Sequence, residues 1–188
     1  MSQTAFDASG FVRFDLASGR IRSAANETLA LVPWRLLDLL APGGQLVAVA
    51  RDWGRIHGER LAAAARDSQE PAPIEALADA LGGVLAVAGL GRVTVETRGD
   101  ALLFRAVSPG GSLEYGSAPT RDLLVGFVAG FLTAIDPAGF DVLPLPGTAG
   151  EQLLWAGSPP AVARVRAWMD EGEEPMQAMD RLSRGGDR

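Results

Sequence analysis

Few residue types in this chain could do chemistry, and their spacing narrows the options further. His57 is the sole histidine, so any imidazole base or ligand would have to be that residue. It lies between Gly54 and Gly58 beside Glu59. A catalytic histidine needs an orienting partner and a metal needs further ligands, and the neighbouring sequence names neither. A solvated or core-packed imidazole is the expectation. The chain has no cysteine and no lysine. Thiol nucleophiles, disulfides, cysteine metal sites, phosphate-loop lysines, Schiff-base lysines and serine–lysine dyads are therefore excluded.

Gly89-Leu90-Gly91 resembles a nucleotide loop only superficially. It leads from a helical pattern into a strand pattern, the reverse of the order that sets phosphate on a helix N-terminus. The 23 acidic residues contain no pair singled out by spacing. Arg51, Arg55 and Arg60 alternate with Asp52 and Glu59, as on a solvated helix face with local ion pairs. Trp34, Trp53, Trp155 and Trp168 are scattered and suit core or interface filling. No catalytic residue, metal or cofactor is expected, and the chain is not expected to be an enzyme.

The elements that must position any site are clearer than the site. Thr120 to Ile135 is the least polar continuous segment, with Gly126, Gly130 and Ala134 at intervals of four and Leu123, Leu124, Phe127, Val128, Phe131 and Leu132 on the other faces. Mid-helix glycine costs about 1 kcal/mol relative to alanine, so the stripe implies close approach of another backbone. Leu123 to Ile135 gives 13 uncharged residues, short of the roughly 20 needed to cross a bilayer. A core helix is expected.

A second helix over 45–67 carries Ala50, Gly54, Gly58 and Ala62 at the same interval. Two such stripes predict helix–helix contact, within one subunit or across a two-fold axis. Elsewhere, Phe11–Leu16 and Arg20–Ala24 form a candidate hairpin, Pro33 opens a helix through Leu40, and Ile74 to Ala88 marks another helix that Gly89 would end. Arg92–Thr97 and Ala101–Val107 flank Arg98-Gly99-Asp100 as the firmest hairpin. Ser108–Pro119 is a loop bearing the only tyrosine, Tyr115. Phe140–Leu145 and Glu151–Ala156 read as a strand pair, with Pro144 pointing to a sheet edge. Ser158-Pro159 starts a helix whose buried face is Val162, Val165, Trp168 and Met169, and Pro175 starts another through Leu182. These make one α+β domain over 1–182, an antiparallel sheet with a packed layer of helices and strands in hairpins between helices, followed by a disordered tail at 183–188.

The length of 188 residues, 47% hydrophobic and 21% charged, fits a single globular domain. A net charge of -6 without a basic run argues against a nucleic-acid partner. The opening MSQTAFDASG lacks a basic and an apolar region, so a cytoplasmic location is expected.

The order of elements around GLGRVTVETRGDALLFRAV and TRDLLVGFVAGFLTAI resembles the superfamily of 4-vinyl-reductase-type hydrocarbon-binding domains and TRAPP vesicle-tethering subunits, over about residues 20–157. WGRIHGERL, AVAGLGRVTVE and SLEYGSAPTRDLLVGFVAGFL also resemble the D-type accessory component of bacterial cellulose synthase, over about 45–135. The resemblance implies a non-enzymatic, self-associating domain. In one branch a dimer encloses an apolar pocket; in the other a ring-like scaffold assists glucan export. No cysteine lies near Leu153–Gly157, where the zinc-bearing members of the first branch would place metal ligands. The leading expectation is a homo-oligomeric scaffold, serving a membrane-associated polysaccharide synthase, with Ala50, Gly54, Gly58, Ala62, Gly126, Gly130 and Ala134 at its helix contacts. The alternative is a sensor-type module holding an apolar small molecule, with Trp53, Tyr115, Phe127 and Phe131 as candidate lining.

Overall fold

The computed structural model describes residues 12–15, 20–23, 28–29, 45–68, 74–88, 90–107, 118–136, 138–148 and 150–184. Strands β1 (Val12–Asp15), β2 (Arg20–Ser23) and β3 (Thr28–Leu29) form a small antiparallel sheet in sequence order. Helices α1 (Gln45–Ser68) and α2 (Ile74–Val87) follow, then β4 (Arg92–Arg98), β5 (Ala101–Val107) and α3 (Ala118–Ile135). Strands β6 (Asp141–Leu145) and β7 (Glu151–Gly157) and helices α4 (Pro159–Asp170) and α5 (Pro175–Ser183) complete the chain. The main sheet is antiparallel throughout, in the order β4-β5-β7-β6.

The α+β class is as expected, but the helices form two layers rather than one. Strands β5, β7 and β6 are apolar on both faces, and a sheet apolar on both faces must be covered on both. Phe104, Ala106, Val142, Leu154 and Ala156 face the core built by α1, α2 and α3. Their neighbours in sequence, Ala101, Leu103, Leu143, Leu145 and Trp155, face a second core with Val162 and Val165 of α4 and Ala178 and Met179 of α5. Period-two alternation thus sorts adjacent residues into different cores.

Pro144 lies in β6, an edge strand, as its missing N–H requires. The hairpin β4-β5 closes on Arg98 opposite Ala101, with Gly99 at φ +61° in the turn. Because an L side chain pays roughly 1–2 kcal/mol in that region, Gly99→Ala is expected to lower stability by about 1 kcal/mol in urea unfolding.

Helix α3 starts at Ala118, before the expected Thr120, with Pro119 in its first turn where a missing donor costs nothing. Its 18 residues make it long and apolar enough for a membrane span by length and composition, contrary to the count from Leu123 alone, yet 56% of it is buried inside the protein. At the other end, Ser158 caps α4 without a side-chain hydrogen bond. Of the tail expected at 183–188, Ser183 closes α5, its Oγ donating to the Met179 carbonyl at 3.0 Å, and Arg184 is the C-cap. The expected Pro33–Leu40 helix lies outside the described residues, as do residues 185–188.

Candidate functional site

Helices α1 and α3 pack at backbone distance, and both glycine stripes are spent on that contact. A Cβ added to Gly54 would come within 2.8 Å of the Phe127 carbonyl carbon, and one on Gly58 within 3.0 Å of that of Phe131. Reciprocally, a Cβ on Gly126 would meet the Val47 carbonyl carbon at 3.1 Å, and one on Gly130 that of Arg51 at 2.7 Å. Ala50 and Ala134 complete the seam, each with its Cβ 2.9 Å from where a Cβ on Gly126 or Gly58, respectively, would sit. Ala62 is half-buried further along α1. The choice that spacing left open is thereby settled: the two glycine-bearing helices meet within one chain.

That close approach assembles an aromatic cluster. Trp53 and His57 are one turn apart on α1, and Phe127 and Phe131 one turn apart on α3. With no side chain at Gly54 or Gly58 to hold the helices apart, the Trp53 ring reaches Phe127 at 4.5 Å between centroids, tilted by 57°. His57 meets Trp53 edge-on at 5.9 Å and 84°, and Phe127 at 6.1 Å. Phe127 and Phe131 lie 6.2 Å apart with nearly parallel rings. These separations fall in the range where aromatic pairs attract beyond simple burial.

The cluster grades from interior to surface. Phe127 and Phe131 are fully buried, while Trp53 and His57 are half-buried. Exposed charge flanks them on α1: Arg55 pairs with Glu59 at 2.5 Å and lies 3.8 Å from Asp52, the solvated ion-pair face expected from the sequence. Such exposed pairs contribute little to stability. Among the described residues there is no group of three or more histidine, cysteine, aspartate or glutamate side chains able to hold a metal ion.

Of the four residues expected to line a pocket, Trp53, Phe127 and Phe131 are brought together, and Tyr115 lies outside the described residues. His57, expected as a solvated or core-packed imidazole and not among the candidate lining, is half-buried against the same rings. The signal that could have found it is its spacing of four from Trp53, which puts both on one helix face.

No protein-family model matches the chain, and no curated protein matches it in sequence. Solved structures do match. A vinyl-4-reductase family protein from Methanocaldococcus jannaschii aligns with a TM-score of 0.47 and 14% identity, over 71% of this chain and 85% of that one. The phenol-responsive sensory domain of the transcription activator PoxR, crystallised with phenol, aligns with a TM-score of 0.54 and 17% identity, over 84% of this chain and 92% of that one. Neither is a cellulose synthase component, and that finer resemblance gains no support from them. At this level of identity the likeness shows architecture: this chain has the α+β fold of the PoxR sensory domain across most of both molecules.

Proposed function

We propose that this chain is a non-enzymatic binding module for a small aromatic or otherwise apolar molecule, seated against the half-buried side of the Trp53–His57–Phe127 cluster. The observation carrying this reading is that cluster: aromatic rings held at 4.5 to 6.1 Å that grade from a sealed core to partial exposure. Apolar surroundings with one or two polar atoms are the usual composition of small-molecule sites. The imidazole and indole supply those atoms beside a ring-lined surface. The shared architecture with a phenol-responsive domain supports the same reading, as does the resemblance to hydrocarbon-binding domains of the 4-vinyl-reductase superfamily, to which we assign the chain. The module is acidic, suits the cytoplasm, and lacks the basic footprint of a nucleic-acid binder.

The scaffold reading, an accessory component for cellulose synthesis, draws its interface from the glycine stripes. Both stripes are occupied within one chain, so self-association would need another surface.

Isothermal titration with phenol as probe, followed by benzyl alcohol and toluene, tests the binding reading. Wild-type protein is expected to bind at least one probe, and Trp53→Leu, its folding checked by circular dichroism, to bind it about tenfold more weakly, the size of one lost aromatic contact of roughly 1–1.5 kcal/mol. Binding unaffected by Trp53→Leu, or no heat with any probe, would remove the site.

A further inference from the structure

We infer that helix α2 is the third wall of the ligand site, and that Ala80 on it makes room for a second ring or a short alkyl chain carried by the ligand's first ring. The assignment rests on the binding function proposed for the Trp53–His57–Phe127 cluster. Helix α2 turns Leu77, Leu81 and Leu85, all buried, into the core that holds Phe127 and Phe131. Gly82 marks its β4 side, because a Cβ there would meet the Val93 carbonyl oxygen at 3.4 Å. At about 100° per residue, Ala80 and Val84 then fall on the opposite side. Both are half-buried against the same core.

That side of α2 faces the aromatic cluster. Helix α3 lies against β6 and β7 and α2 against β4, so α3 is on the inward side of α2. Of the two sides of the α3 glycine stripe, fully buried Phe127 and Phe131 occupy one, while Asp122 and Thr133 on the other reach solvent. On α1 the stripe likewise divides half-buried Trp53 and His57 from exposed Arg51 and Arg55. The ring-bearing sides of both helices therefore turn toward α2. Helices α1 and α2 touch, and residues 69–73 alone join them, a connection short enough to make the pair antiparallel. To within one residue, Val84 lies as far past the start of α2 as His57 lies before the end of α1, and Ala80 is level with Leu61 in the same way. Val84 thus stands across from the rings. One turn further on, Ala80 faces half-buried Leu61 and narrows the groove least. A turn is about 5.4 Å, the reach of a second ring or of about four carbons. The ligand's polar atom stays at the imidazole and indole, and its apolar extension runs toward Ala80 and Leu61.

Isothermal titration with phenol and 4-butylphenol tests the extension. Wild-type protein is expected to bind 4-butylphenol at least about tenfold more tightly than phenol, a fraction of what full burial of the added carbons would give. In Ala80→Leu that preference should vanish, whereas Asp79→Leu, the same side chain on the exposed side of α2, should keep it. Circular dichroism checks that each variant is folded. Equal affinity for the two phenols in wild type, or a preference that survives Ala80→Leu, overturns the inference and leaves the binding function standing; no heat with either phenol removes both. The wall itself can be read without a ligand. No native cysteine competes for a label, so bimane attached at Val84→Cys should be quenched by the Trp53 indole and brighten about twofold when Trp53→Leu is added. The same label at Asp79→Cys should not change. Equal behaviour at the two positions would show that α2 turns a different side to α1 and would overturn the inference.

Discussion

Gly130→Ala is expected to destabilise the protein by about 3 kcal/mol or more, even though alanine is the better helix former by about 1 kcal/mol. The new methyl would stand 2.7 Å from the carbonyl carbon and 3.0 Å from the Cα of Arg51. Those are backbone atoms of a 24-residue helix, so no rotamer change relieves the clash. Helices α1 and α3 must separate, and the three glycine contacts sharing the seam loosen with them. In a chain of this size the loss corresponds to a melting temperature about 10 °C lower. Gly82 of α2 supplies the internal control. Its added Cβ would meet only the Val93 carbonyl oxygen, at 3.4 Å, so Gly82→Ala should be neutral or stabilising by up to about 1 kcal/mol. Differential scanning calorimetry of the two variants checks the pair, and equal melting temperatures would show that the helices do not touch through their glycines.

The same substitution links packing to the proposed site. Trp53 reaches Phe127 because Gly54 lets the Phe127 backbone come in, so widening the seam also parts the rings. A folded Gly130→Ala protein, if recovered, should bind an aromatic probe more weakly than wild type. Stability and recognition here depend on one geometric fact.

That fact is legible without coordinates, because glycine at i and i+4 in an apolar helix has few other uses. Spacing cannot say whether the opposing backbone belongs to the same chain, since an internal and a two-fold seam demand the same residues. The hairpin β4-β5 is legible because Arg98-Gly99-Asp100 supplies a turn between two alternating runs. The second helical layer goes beyond the single layer expected from the sequence, although ALLF at 101–104 and LLWA at 153–156 carry it as unbroken apolar runs. An unbroken run marks a strand buried on both faces, and so demands a cover on each. The site is half legible: the interval of four puts Trp53 and His57 on one helix face, but which residues of α3 that face meets needs the relative rotation of two helices, which no local pattern encodes.

Trp155→Ala should produce the other large effect, a loss of about 3–5 kcal/mol with a particular spatial signature. Trp155 is 1% exposed and is the largest fully buried side chain of the core beneath α4 and α5. Its neighbour Leu154, 2% exposed, points through the sheet into the opposite core. Removing the indole leaves a cavity in the second core, between the paired Leu103 and Leu143 of the flanking strands and in the cluster that holds Val162 and Val165, which fixed strands on one side cannot collapse to fill. Helices α4 and α5 should therefore open before the rest of the molecule. Hydrogen exchange in Trp155→Ala is expected to show faster amides across 159–183 and near-native protection in α1 and α3, whereas Leu154→Ala should show the reverse order. Because the proposed ligand site belongs to the α1–α3 layer, Trp155→Ala that remains folded should keep probe affinity within about twofold, the additivity expected of distant sites. Uniform loss of protection across both layers would mean that the two cores unfold as one unit and that the sheet does not insulate them.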